Sequence, residues 1–417
     1  TGVFTKQVFM SFIALKDISY STILKVSTPT ILSALSTNIM QIMDRLILAK
    51  YSTTAMTSAT ASGVWCGTIQ CATISMILIA GAFVGNYNGA GKYKLAGVPV
   101  WQMIWFSLFL FLLSIPMSKY LGPYCVPANL QAEGIPYFEI LMAWTPIFCL
   151  KASISLFFIA IGKGFLITIA VLIAMVINFI ADIVLVFGCF GITEFVGTPG
   201  AAIGTILAEL SEVVFLSLCF FKKNIRQQYG TLNCKLRLKR LNKYLKLGFL
   251  ASIGHIVESV IFSFIVFFLT SISNEMALIQ TISSTLYSFF LFFVSGLEKG
   301  IMSIASNLLG AKMRYKIDIL LKRGIVLHCI ITLIIAAFIF IYPSIFINSF
   351  IDMNSTSPEL VNEIILVMGL MMITFLFDGV VWIEAGILEA GGDVNFMMAT
   401  IAGCITAFVA IPAGFLI

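Results

Sequence analysis

Eleven long stretches of this 417-residue chain are continuously apolar, and little sequence is left between them. They run roughly over 22–49, 55–85, 98–121, 136–161, 165–190, 200–221, 244–271, 276–297, 320–347, 361–388 and 396–417. About 20 residues of helix cross the hydrocarbon core of a bilayer. In lipid every backbone amide must be satisfied within its own segment, so each stretch is expected to be a helix. A β-barrel is excluded, because polar residues inside the stretches are too sparse for strands that alternate at every residue. Composition agrees: 60% of residues are hydrophobic and 11% charged, against roughly 45–50% and about 25% in soluble domains. A globular cytosolic enzyme is therefore ruled out. At roughly 35 residues per span and connection the chain holds about 12 crossings, with no room for a separate ATPase, kinase or DNA-binding domain. The expected fold class is an all-α membrane protein, working inside the lipid bilayer. No cleavable signal peptide is expected, since Thr1 to Tyr20 lacks a small-residue cleavage pattern after a short apolar core.

The charges orient the chain. Between Lys222 and Lys246 stand nine basic residues and no acid (Lys222, Lys223, Arg226, Lys235, Arg237, Lys239, Arg240, Lys243 and Lys246). Beside membrane spans such a run is the positive-inside signature; aromatic interleaving is absent, so no nucleic acid is expected as a partner. With the N-terminus inside, the inner connections carry Lys92, Lys94, Lys163, the basic run, Lys312, Arg314, Lys316, Lys322 and Arg323. The outer ones near 191–199, 271–275 and 348–360 carry no basic residue. A multi-pass protein of the plasma membrane (the inner membrane in a bacterium) with a cytoplasmic N-terminus is expected. The nine cysteines are scattered and form no CxxC pair, so neither a zinc site nor a disulfide framework is indicated.

The halves repeat. Leu24-Lys25-Val26 recurs as Leu245-Lys246-Leu247 and Gly89-Ala90 as Gly310-Ala311, both at an offset of 221. The expected organisation is an N-lobe over 1–221, a basic cytoplasmic linker over 222–243 acting as a hinge, and a C-lobe over 244–417. Six spans precede the linker, so the repeat is parallel, about an axis along the membrane normal, as in two-lobed secondary transporters. Five spans follow it, and a twelfth is expected but absent from the sequence. The strings Gly85-Asn86-Tyr87-Asn88-Gly89-Ala90-Gly91-Lys92 and Gly162-Lys163-Gly164 read as tight turns. The first lacks the strand–loop–helix setting and the Lys-Ser/Thr pair of a phosphate loop.

Ionisable residues within spans cost roughly 2.5–3.5 kcal/mol at a helix centre and mark functional pathways. In the first span Thr37, Gln41 and Asp44 share one face, with Arg45 about 100° away. Asn178 and Asp182 share a face of the fifth, and His255 and Glu258 lie three apart in the seventh. Asp378 stands alone in the tenth, with Glu384 further towards the inner end. A carboxyl group in low dielectric is driven towards its neutral form, more so beside another acid. Such a group binds a proton, or Na⁺ where amide, hydroxyl and carbonyl oxygens complete the shell, and either ion biases a two-state transporter. Glu209, Glu212 and Glu298 (beside Lys299) read instead as structural acids paired with a basic residue. His328 reads as interfacial.

Taken together, these motifs resemble the multidrug and toxic compound extrusion family, MATE, of the MOP flippase superfamily. Pro29 stands fifteen positions before Asp44, and Gly89-Ala90-Gly91 follows the second helix. Asn178-Phe179-Ile180-Ala181-Asp182 precedes Gly188, and Gly197-Thr198-Pro199-Gly200-Ala201-Ala202-Ile203-Gly204-Thr205 leads into the sixth helix. Glu258 lies in the seventh, and Asp378 precedes Gly391-Gly392-Asp393. The resemblance implies two six-helix bundles in a V. It implies secondary active efflux of small amphipathic, cationic compounds by antiport with H⁺ or Na⁺, through alternating access. By position Asp44, Asn178 and Asp182 form an N-lobe cation or proton site, Pro29 bends the first helix, and Glu258 and Asp378 form a C-lobe site. Na⁺ could sit at Asp44 and Asp182, or at Glu258 and Asp378. The chain departs from the family where Leu250 replaces the usual proline of the seventh helix, and in its twelfth helix. No cofactor is implied, and a monomer is expected. The alternative reading is a flippase for lipid-linked oligosaccharide or another lipid, whose cavity would carry Arg and Lys. Here the mid-span charges are mostly acidic, Arg45 and Lys151 excepted. No nucleophile–base or metal-ligand set suggests an enzyme.

Overall fold

The computed structural model describes residues 18–191, 195–348 and 357–405, and among them there are helices and turns but no strand. Helix α1 (Tyr20–Tyr51) opens at Ser19, whose hydroxyl accepts from the Thr22 amide at 3.2 Å. A single residue, Ser52, separates it from α2 (Thr53–Gly89). The Ser52 amide closes α1 on the Leu48 carbonyl at 2.8 Å, and its hydroxyl accepts the Ala55 amide at 3.4 Å. One residue thus serves as the cap that both helix ends need. The first half continues with α3 (Gly97–Cys125), α4 (Gln131–Ala143), α5 (Thr145–Ala160), α6 (Phe165–Val186) and α7 (Thr198–Phe220). After the short α8 (Lys223–Tyr229), the second half has α9 (Leu238–Ile272), α10 (Asn274–Gly310) and α11 (Ile317–Ile341). It ends with α12 (Pro343–Ile347), α13 (Pro358–Gly391) and α14 (Val394–Ile405).

Among the described residues seven helices are long and apolar enough to cross a membrane, and α4 with α5 makes an eighth if that bent pair is one span. The chain is a multi-pass membrane protein. Two predicted spans need correction. The segment 136–161 is broken near Trp144, with α4 and α5 set at 41°. Pro146 has no amide to continue the α4 ladder, and its ring opposes a straight helix there. Likewise the segment 320–347 stops at Tyr342 before Pro343. Helix α1 meets the length of a span but not its apolarity, because Ser27, Thr28, Thr30, Ser33, Ser36, Thr37, Asn38 and Gln41 interrupt it. One side of it packs against α10, α6 and α2, while Leu32, Leu35, Ile39, Ile42 and Leu46 are exposed on the other.

The internal repeat is visible in the backbone. Helices α2 and α10 are both 37 residues long. They begin at Thr53 and Asn274, an offset of 221, behind Ser52 and Ser273, which cap them alike. Each is followed by a one-turn 3₁₀ segment, Tyr93–Leu95 and Arg314–Lys316, at the same offset. The halves meet through α1 on α10, α9 on α2, and α2 on α10. Under the repeat the first two contacts are equivalent and the third lies on the axis. All hydrogen bonds described between the halves belong to the end that carries the two 3₁₀ turns, such as Thr30 Oγ1 to the Gly296 carbonyl at 2.7 Å and Ser303 Oγ to the Ile159 carbonyl at 2.8 Å.

The basic segment expected as the hinge is tied to the first half. Trp101 Nε1 donates to the Thr231 carbonyl at 2.7 Å, Trp105 Nε1 to Cys234 at 2.8 Å, and Gln102 Nε2 to Lys235 at 3.1 Å. Gln102 Oε1 accepts the Arg237 amide at 2.7 Å. About a turn of α3 therefore straps the segment down, and Lys239 onward already belongs to α9.

Candidate functional site

The tight pairing of α6 with α7 sets the depth of the first-half site. Gly200 and Gly204, one turn apart, face α6 and let the two backbones approach, the small-residue packing that membrane helices use. A Cβ at 204 would overlap Asp182 Oδ1, so Asp182 occupies space that only glycine leaves. Asp182 and Asn178, one turn apart on α6, are both buried, at 0% and 1% exposure, and Asp44 from α1 is 8% exposed. The Asp44 carboxyl faces that of Asp182, with the Asn178 amide beside them. From α7 the Thr205 hydroxyl lies 3.3 Å from Asp44 Oδ2 and 3.0 Å from the Ala201 carbonyl, so its one proton serves either acceptor but not both fully. Asp44 Oδ1, both Asp182 oxygens and both Asn178 amide atoms are buried without a well-formed hydrogen bond, although the three side chains stand within bonding reach of one another. Buried polar atoms are rarely left so. With both acids ionised, the contact between them has no proton to share.

Three of the predicted N-lobe residues are therefore brought together and two are not. Gln41 is exposed, and the Thr37 hydroxyl bonds back to the Ser33 carbonyl of its own helix at 3.0 Å. Arg45 is exposed and forms no ion pair among the described residues. Pro29 lies inside an α1 that runs unbroken past it, packed against the start of α6. Thr168 Oγ1 donates to the Pro29 carbonyl at 3.2 Å. Sequence reasoning did not assign roles to Thr205, Gly204 or Tyr137. Tyr137 of α4 comes within electrostatic reach of Asp44 and Asp182. The glycine string that opens α7 was the signal available for the first two; for Tyr137, on the broken span, there was none.

Substituting Gly204 by Ala tests this packing. The Cβ overlap must displace Asp182 or part α6 from α7, and overpacking of this kind costs about 1–3 kcal/mol. A lower melting temperature in detergent is expected for Gly204→Ala. None is expected for Gly67→Ala, where an added Cβ meets no atom within 4 Å. Equal melting of the two variants would refute the close approach.

A second ionisable cluster lies one turn further along α7. Lys151 of α5 donates to Glu209 Oε1 at 2.6 Å and stands 3.7 Å from Glu212 Oε1, with both glutamates 2% exposed. The expected lysine partner is present. Glu298, by contrast, forms no ion pair with Lys299 among the described residues. It packs against Gly386 of α13, with Glu389 nearby. In the second half the backbone of α9 carries His255 and Glu258, whose side chains lie outside the described residues. Asp378 of α13 is half-buried and accepts from Tyr287 Oη of α10 at 3.4 Å. His328 is fully buried, not interfacial: its Nε2 lies 3.0 Å from the Phe375 carbonyl, and its ring rests on Gly379, next to Asp378. Among the described residues no three His, Cys, Asp or Glu side chains converge as a metal site.

Comparison with known proteins accounts for this arrangement. The MatE family profile matches residues 250–416. The multidrug export protein MepA of Staphylococcus haemolyticus is 21% identical over 322 residues, covering 75% of this chain and 68% of that protein. MepA of Staphylococcus aureus is 23% identical over 350 residues, 81% and 73% of the two chains. A solved outward-facing multidrug resistance MATE transporter of the MOP superfamily superposes with a TM-score of 0.79 at 15% identity, over 93% of this chain and 86% of that one. The fold is that of the MATE transporters, and the second half matches their family profile. A MATE crystal structure in the bent conformation also reaches a TM-score of 0.79, at 14% identity, over 95% of this chain and 90% of that one.

Proposed function

We propose that this chain is a secondary active multidrug efflux transporter of the MATE family. It exports small amphipathic organic cations by antiport with H⁺ or Na⁺, as a monomer in the plasma membrane with its N-terminus cytoplasmic. Its two lobes, 1–221 and 244–417, alternate in access around the axis. The observation that carries this reading is the group of orphaned oxygens at Asp44, Asp182 and Asn178, enclosed by α1, α6 and α7. The coupling ion is a substrate here, and it completes the site. A proton between Asp44 and Asp182 supplies the donor their facing oxygens lack. Na⁺ would meet hard oxygen ligands from the same two carboxyls, the Asn178 amide and the Thr205 hydroxyl. Either ion lowers the charge enclosed by apolar walls, and so favours the conformation in which those walls close. Asp378 with Tyr287, and Glu258 on α9, are proposed as a second cation site in the C-lobe. The export function of the MepA relatives supports this reading over a lipid flippase, as does the acidic balance of the mid-span charges.

Purified protein in liposomes, loaded with a fluorescent organic cation, is expected to drive dye transport under an imposed Na⁺ or pH gradient. The two gradients, applied separately, identify the ion. Equal dye movement with and without either gradient would defeat the antiport reading.

A further inference from the structure

The end of the molecule where the halves meet is built as a matched pair of helix caps exchanged across the axis. Asn307 of α10 donates from Nδ2 to the Ala160 carbonyl at 2.8 Å, and Asn86 of α2 donates from Nδ2 to the Ala390 carbonyl at 3.4 Å. The two asparagines stand at the offset of the repeat, 307 − 86 = 221. Their acceptors end equivalent helices: α5 finishes at Ala160, and α13 at Gly391, just past Ala390. The last carbonyls of a helix have no partner within it, so each half supplies the other's missing donor. The glycines match too. A Cβ at Gly89 would overlap the Asn307 carbonyl, and one at Gly310 would overlap the Asn86 carbonyl, so both backbones cross in contact. These glycines share the same offset. The pair is not evenly loaded. Asn307 additionally accepts from Asn88 Nδ2 at 2.7 Å and donates to the Ser303 carbonyl at 2.8 Å, whereas the bond described for Asn86 across the axis is longer, at 3.4 Å.

We propose that Asn86 and Asn307 are positioning residues for the transport cycle: a two-fold-related latch that holds the cytoplasmic ends of the lobes together and sets the population of the outward-open state. This rests on the alternating-access reading above. The latch is reversible because of what it binds. When the lobes part, the freed amides and helix-end carbonyls face the aqueous mouth and exchange their mutual bonds for water, a small net change per bond. The apolar contacts that flank the latch across the axis, Ile79 with Ala251 and Val394, and Ile23 and Ala82 with Leu297 and Ile301, open at a cost proportional to their area.

Spin labels at Lys94→Cys and Tyr315→Cys, exposed positions on the two equivalent 3₁₀ turns, measure the separation of the lobes in a cysteine-free protein in nanodiscs. The substrate-free protein is expected to give one short distance. Asn307→Ala should raise a longer, inner-open population about tenfold, since two bonds across the axis are lost, and Asn86→Ala should raise it less. Gly310→Ala removes no hydrogen-bonding group but forces the same backbones apart, and should shift the same distance. A label pair on the first half and the linker strapped to it, Lys94→Cys with Lys223→Cys, should not change in any variant if the bundle is intact. An unaltered Lys94–Tyr315 distance in both Asn307→Ala and Gly310→Ala would overturn the latch. Shifted variants combined with a wild-type distance that ignores dye and gradient would retire the alternating-access reading while leaving the latch in place.

Discussion

Asp44→Asn is expected to abolish gradient-driven dye transport, by about a hundredfold, while leaving the protein folded. The side chain keeps its size and remains beside Asp182 and Thr205, so packing changes little. What is lost is the second carboxyl of the pair. An amide neither releases a proton nor offers Na⁺ a charged oxygen, so the differential affinity of the ion for the two conformations goes with it. Coupling energies between sites commonly amount to about 1–3 kcal/mol, or roughly 5–150-fold. The measurement is the initial rate in proteoliposomes with the gradient on, minus the rate with it collapsed. Asp182→Asn should fall equally, because the two acids face each other as one unit. Gln41→Ala should change the rate less than twofold, since that side chain is exposed and does not join the site. An Asp44→Asn protein that still pumps at the wild-type rate would remove the N-lobe site from the mechanism. Asp378→Asn, measured alongside, reports separately on the second half.

The largest expected effect on stability comes from Lys151→Met. Lys151 lies between Glu209 and Glu212 and is the one cation described with them. Removing it leaves two buried carboxyls facing each other with no cation, and breaking one side of a buried ion pair typically costs about 3–5 kcal/mol. A drop of many degrees in the melting temperature, or loss of folded protein on extraction, is expected. The variant that also carries Glu209→Gln and Glu212→Gln should recover much of the loss, because whole buried ion pairs replaced by neutral groups are often tolerated. If the triple variant melts no higher than Lys151→Met, lost packing of the lysine stem rather than uncompensated charge is the cause. The Glu209→Gln, Glu212→Gln pair without the lysine change should also be tested for transport. The cluster lies one turn from Thr205 on α7, yet no reading above requires it to move an ion.

Much of the architecture was legible in the residue string. Helices, their approximate limits, the parallel repeat and the meeting of Asp44 with Asn178 and Asp182 all followed from apolar length, shared helix faces, the offset of the repeat and family resemblance. The failures have particular causes. A proline at the second position of α5 broke a span whose composition looked continuous. Gln41 shares a helix face with Asp44 by spacing, but a face is wider than the contact α6 makes on it. The tethering of the linker was not legible, because it depends on Trp101, Gln102 and Trp105, far earlier in the chain. His328 looked interfacial because one histidine carries no sign of what packs over it; Gly379 on another helix makes the room.

The string of residues alone determined that this chain lives in lipid as helices, because 60% apolar composition and backbone satisfaction admit nothing else. It also determined that there are two related halves, because a repeat is a property of order along the chain. Only the tertiary structure decided that Thr205 joins the site while Gln41 and Thr37 stay out of it, and which helix ends cap one another. Those depend on where α6, α7, α2 and α10 touch, and close contact is set by missing side chains at Gly204, Gly89 and Gly310 in concert with what lies opposite them.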